Sequence, residues 1–194
     1  MVQILLCGMS KPFSLSVDTH TLSQLSSRFP GVLLRLPSHS VEGYMTLGVL
    51  GLGAQERFSL KSTSDFFVAL LSNTKYPSPL EPLSEDLFRH FGAQILRSLL
   101  LSAGSEGPRS VIPNLAELLA CLVQRIPGEA MASWLNAILV EEGFPSAKST
   151  PASKDRLKEV VLKSRTTKRM REALHEFALV ARGLDNTTYG NATM

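Results

Sequence analysis

The chain has 194 residues, 44% of them hydrophobic and 19% charged, a balance that excludes a disordered polypeptide and leaves room for one or two folded domains. Its formal charge of +3 and pI near 9.0 are too mild to argue for a nucleic-acid partner alone, and no apolar run reaches the roughly 20 residues that span a bilayer. Cys7 and Cys121 are too few and too far apart for a disulfide framework or a cysteine metal site, so both are expected as buried free thiols in a reducing compartment. The opening MVQILLCGM lacks a basic stretch ahead of its apolar residues, so no secretory signal is expected and nucleus or cytosol follows by default.

In chain order, Asp18 is placed to cap a helix through Leu22, Leu25 and Phe29, and Pro30-Gly31 to open a short one with Val32, Leu33 and Leu34. Val41, Met45, Val49 and Leu52 recur at helical spacing before Gly53. A second helix is expected from Gln55-Glu56 to Ser72, with Phe58, Phe66, Phe67, Leu70 and Leu71. Its small residues Ser59, Ser62, Thr63 and Ser64 would let a neighbour approach closely. Pro77, Pro79 and Pro82 make residues 74–83 a loop, after which Ser84 with Glu85 and Asp86 predicts a capped start. That helix runs to Ala103 and is apolar on more than one face, so it must be sandwiched between others.

A helix near Ser110 repeats Val111, Leu115, Leu118, Leu119, Leu122 and Ile126. The next carries Met131, Leu135, Ile138 and Leu139 and stops at Gly143, with Pro145 beyond. After the loop FPSAKSTPA, Ser153 is expected to cap a basic helix with Leu157, Val160 and Val161 inward. The last helix carries Met170, Leu174, Phe177, Ala181 and Leu184. No alternating strand pattern is present. First helices of successive pairs start near 39, 84 and 129, a period of about 45 residues that falls in the HEAT and armadillo range. The expected architecture is an all-α superhelix of HEAT-like repeats over 1–185 with a frayed tail at 186–194. The abrupt apolar start gives the further expectation that the chain is the C-terminal part of a longer array.

Enzyme constellations are not found, and no catalytic, cofactor or metal site is expected. His20, His39, His90 and His175 are scattered, and His175-Glu176 lacks the second histidine of a zinc-protease helix. Gly48, Gly51 and Gly53 lack the Lys-Ser/Thr of a phosphate loop and are expected to allow close packing or to end the helix. Asn186 and Asn191 head chance glycosylation sequons. One feature suggests binding: Lys163, Arg165, Lys168, Arg169 and Arg171 form a basic face near the C-terminus. Three readings stand for it, a solvated surface, a contact for an acidic protein, or a nucleic-acid contact.

Three strings carry a family resemblance. LGLGAQERFSLKSTSDFFVALL at 50–71 holds Gln55-Glu56-Arg57-Phe58-Ser59. Residues 108–148 hold Trp134 and Gly143-Phe144-Pro145. Residues 165–184 hold Lys168-Arg169 and close on Arg182-Gly183-Leu184. In this order and spacing they resemble the C-terminal end of the importin-13 and transportin-SR group of karyopherins, in the importin-β superfamily. Two departures stand out: Ala181 replaces an expected Cys, and the tail is less acidic. The resemblance implies a HEAT superhelix that carries protein cargo between nucleus and cytoplasm, meets phenylalanine-glycine nucleoporins, and answers to Ran-GTP through an N-terminal arch that these strings do not cover. It also implies that Trp134, Phe144 and Phe177 pack repeats together. A helical-repeat scaffold unconnected to transport is the alternative.

Overall fold

A computed structural model describes residues 21, 24, 30–72, 76, 80–105 and 107–184. The expected helix over Leu22, Leu25 and Phe29, and the features placed on Cys7, His20, Asn186 and Asn191, lie outside the described residues. The described residues form helices α1 (Pro30–Leu33), α2 (Ser38–Leu52), α3 (Arg57–Ser72), α4 (Glu81–Gly104), α5 (Ile112–Arg125), α6 (Gly128–Leu139), α7 (Pro151–Lys163) and α8 (Thr167–Arg182), and no strand. A 3-10 turn at Arg109–Val111 leads into α5. The fold is an α-α superhelix of the HEAT type, as the periodicity predicts.

Helices α2, α4 and α6 begin the successive repeats, 43 and 47 residues apart. They form one layer, with α4 touching α2 and α6. In the second layer α5 lies between α3 and α8. The third repeat departs from a simple pair. Helix α7 lies between α6 and α8, and α8 reaches past it to pack on both α4 and α5. The reason is amphipathicity. Helix α7 buries only Leu157 and Val161, whereas α8 buries Met170, Ala173, Leu174, Phe177, Ala178, Leu179 and Ala181, a stripe broad enough to cover two neighbours.

Helix α4 is sandwiched as its sequence requires, with Ile95, Leu96, Leu99 and Leu100 fully buried between α2, α5, α6 and α8. Close approach depends on small residues. On α3, Ser59, Thr63 and Ser64 are buried, and the Thr63 and Ser64 hydroxyls donate to the carbonyls of Ser59 (2.7 Å) and Leu60 (2.9 Å), which leaves their polar groups satisfied. Gly48 of α2 lies against the α3 aromatics: a Cβ there would stand 2.6 Å from Cζ of Phe67. Gly48→Ala is expected to destabilise the fold by about 1–3 kcal/mol through overpacking, read as a lower urea midpoint.

Helix starts differ in detail from the sequence expectations. Helix α4 begins at Glu81, with Pro82 inside its first turn, because a proline there forfeits no intrahelical bond. Ser84 is therefore not the cap. It is buried one turn in and accepts from Nη2 of Arg125 at 3.4 Å. Helix α7 is capped by Thr150, whose Oγ1 accepts from the Ser153 amide at 3.3 Å, and Pro151 follows it. Helix α3 is capped by Glu56, whose carboxylate accepts from the amides of Phe58 (2.8 Å) and Ser59 (2.6 Å). Those two amide bonds hold the Glu56 pKa below its ordinary value. With a depressed folded pKa, the cap stabilises the fold above the usual glutamate value of about 4.3 and is lost as pH falls through the lower folded value. Thermal melts of the wild type and Glu56→Gln are expected to differ near neutrality and to converge in acid.

Candidate interaction surface

The α7–α8 hairpin presents the basic residues that the sequence singles out. All five, Lys163, Arg165, Lys168, Arg169 and Arg171, are exposed, but they are not equivalent. Lys163 donates to Glu159, four residues back, at 2.8 Å. Arg165, in the turn between the helices, donates through Nη1 to the Val123 carbonyl at 2.5 Å, in the last turn of α5. A guanidinium there satisfies a carbonyl that the helix end leaves open, and its charge suits the negative pole of α5. Lys168, Arg169 and Arg171 make no ion pair among the described residues. Met170 between them is fully buried and pins the first turn of α8 to the core while its neighbours project outward. Elsewhere on the hairpin Arg156 pairs with Glu176 at 2.9 Å, and Lys154 donates to the Glu141 carbonyl at 2.9 Å.

Arg182, at the other end of α8, is a structural cation. Its Nε donates to the Ala103 carbonyl (3.0 Å), Nη1 to Gly107 (2.8 Å) and Nη2 to Ser102 (3.4 Å). It thus closes the C-terminus of α4 from 75 to 80 residues away. Burial lowers its pKa from the ordinary value, and neighbouring Arg109 adds to that shift. Helix α8 itself ends in a left-handed Gly183 (φ 70°). The Gly183 amide donates to Val180 (2.9 Å) and the Leu184 amide to Leu179 (2.8 Å). Ser146 Oγ donates to the Ala181 carbonyl and Lys148 Nζ to that of Arg182 (3.3 Å), so all four terminal carbonyls of α8 are engaged.

Residues 143–148 complete this junction. The Pro145 ring occupies the place a side chain at Gly104 would take, with its Cβ 2.9 Å from a Cβ built there. Phe144 is buried under the Arg97 guanidinium, 5.0 Å from its ring centre, and Arg97 also pairs with Glu141 at 2.5 Å. Near the middle of α4, Gly92 makes room for Trp134 of α6, whose Cζ3 stands 2.6 Å from where a Cβ would be. In the sequence Arg182 stands out only in the closing Arg182-Gly183-Leu184 string, and its place before Gly183 at a helix end is the one signal that it serves the fold.

A groove of about 440 Å³ opens between α3, α4, α5 and α6, lined by Phe88, Cys121, Arg125, Ile126 and Trp134 among others. Cys121 lies 3.4 Å from Ser72 Oγ, and burial pushes its thiol pKa up, the opposite of a reactive thiolate. Among the described residues no group of His, Cys, Asp and Glu side chains is arranged to hold a metal, and no helix is long and apolar enough to cross a membrane.

The importin 13 repeat family matches residues 52–130. The chain is 28% identical over 169 residues to Importin-13 of Gallus gallus and 30% identical over 172 residues to Importin-13 of Homo sapiens. Each match covers 87% of this chain and 17% of the relative. It is 25% identical over 174 residues to the Importin beta-like protein kap111 of Schizosaccharomyces pombe, again 17% of that protein. The chain therefore spans about 17% of the length of these relatives. A solved structure described as "Importin13 cytosolic state" shares the fold with a TM-score of 0.74 at 19% identity, over 94% of this chain and 21% of that one. The likeness in sequence over most of its length, together with the helical-repeat fold, places the chain in the importin-13 type of karyopherin, within the importin-β superfamily.

Proposed function

We propose that the chain supplies closing helical repeats of a nuclear transport receptor, moving protein cargo through nuclear pores between cytoplasm and nucleus. The observation that carries this reading is the run of importin-13 likeness over 87% of the chain. The junction of Gly143-Phe144-Pro145 with Arg182-Gly183-Leu184 adds support, because the residues that carry the resemblance meet in space at the end of α4. The mechanism is conformational. Each repeat buries its faces on its neighbours, so small shifts between repeats add along a solenoid and alter how tightly it wraps a cargo.

Phenylalanine-glycine nucleoporins are the partners this part of a receptor would meet directly, and Ran-GTP would act through an N-terminal arch that the three family-like strings do not cover. The test is retention of a phenylalanine-glycine repeat protein on immobilised full chain, with and without Ran-GTP. Specific retention that Ran-GTP leaves unchanged is expected, and absence of retention overturns the reading. A second reading, a helical-repeat scaffold for protein contacts unrelated to transport, is favoured by one observation: Lys168, Arg169 and Arg171 on α8 are exposed and make no ion pair among the described residues.

A further inference from the structure

We propose that the end of the α7–α8 hairpin is a docking surface for an acidic protein segment, held by Lys168, Arg169 and Arg171. Residues 163–171 contain five cations and no Asp or Glu. Lys163 is engaged by Glu159 and Arg165 by the Val123 carbonyl. The remaining three reach solvent with no ion pair among the described residues. Buried Met170 and the Arg165 bond to α5 fix the turn that carries them, so the backbone of the patch is preorganised and only the three side chains lose freedom on binding. The first turn of α8 holds no acid, so its positive pole adds to the same field.

The chemistry of the patch selects among anions. Single-stranded nucleic acid is gripped by aromatic side chains on which bases stack, and the hairpin exposes no Phe, Tyr or Trp: Phe177 is 1% exposed and packed in the core, and the His175 ring is partly buried. The arginine fork accepts carboxylate and phosphate alike, so the lack of a stacking ring is what favours carboxylates, presented at short intervals along an Asp- or Glu-rich segment, over single-stranded nucleic acid. Such a contact is independent of the transport reading. It can hold or fail whether or not nucleoporins bind.

The test is binding of a labelled oligo-glutamate peptide to the full chain by fluorescence anisotropy. Binding that weakens with salt is expected, and Lys168→Glu, Arg169→Glu and Arg171→Glu together are expected to weaken it roughly tenfold or more. A control triple, Arg35→Glu, Arg57→Glu and Lys61→Glu, makes the same change in net charge on exposed sites elsewhere and is expected to bind like the wild type. Circular dichroism checks that both triples keep their helix content, and where the α8 triple unfolds, the glutamine triple at the same three positions replaces it. Three outcomes each overturn the proposal: no peptide binding, equal losses in both triples, or an oligonucleotide of equal charge binding as tightly as the peptide.

Discussion

Phe177→Ala is expected to lower the unfolding free energy by about 3–5 kcal/mol, the range for removing a buried aromatic ring from a packed core. Phe177 is 1% exposed on α8, the helix that packs on α4, α5 and α7, so its loss opens a cavity in the core cluster. Domains are stable by only about 5–15 kcal/mol in total, and this one substitution would remove a large share of that. Because stability in a solenoid passes between neighbours, the third repeat should loosen first and the α2–α3 pair last. Urea unfolding followed by far-UV circular dichroism tests the size. Amide exchange tests the order, with residues of α7 and α8 losing protection before those of α3. A loss under about 1 kcal/mol would mean that α8 is not seated in the core.

Arg182→Ala is expected to cost about 2–3 kcal/mol, from the loss of a charged donor and the carbonyls of Ser102, Ala103 and Gly107 left to find other partners. The figure is held to the lower end of what three bonds could give, because the side chain is only half-buried and water can replace part of the loss. The conservative variant separates geometry from charge. Lysine keeps the charge but cannot span three carbonyls as a planar fork does, so Arg182→Lys should recover less than half of the loss. Melting temperature reports the result at about 2–4 °C per kcal/mol for a chain of this size. Full recovery by lysine would show that charge alone, acting on the α4 helix end, is what matters.

The α4 and α8 ends also show how the family-like strings relate to the fold. Gly143-Phe144-Pro145 and Arg182-Gly183-Leu184 are 37 residues or more apart in the chain, yet the first supplies Pro145 over Gly104 and the second supplies the guanidinium that closes the same helix. A substitution in either string would be felt at the same junction. That is a reason for them to be retained together which needs no ligand.

Much of this protein was legible one residue at a time. Helical spacing of Val41, Met45 and Leu52, or of Met170, Leu174 and Phe177, gives the helices and their buried faces, because a period of 3.6 is local. The small residues of α3 and Gly48 of α2 marked where helices approach closely, since volume is a property of the side chain itself. The start positions of α2, α4 and α6 gave the repeat. Cap identity was less legible: serine, threonine and glutamate can each close a helix, Ser153 lost that role to Thr150 once Pro151 set the first turn, and α4 starts a turn ahead of Ser84, at Glu81-Pro82, with no side-chain cap.

What only the tertiary structure decided was the partner of each long side chain and the place of the last helix. Arg165, Arg182, Lys168, Arg169 and Arg171 look alike in sequence, as cations near one another. Distances to Val123 and to Ala103 divide them into two that close helix ends and three that face water. Likewise, the wider apolar stripe of α8 is a local feature, but that α4 and α5 are the helices it covers is not in the sequence order. The physical reason is the same in both cases. Helix formation depends on neighbours within a few residues, whereas the helix ends closed by Arg165 and Arg182 join groups some 40 to 80 residues apart, and only the folded chain brings those groups within bonding distance.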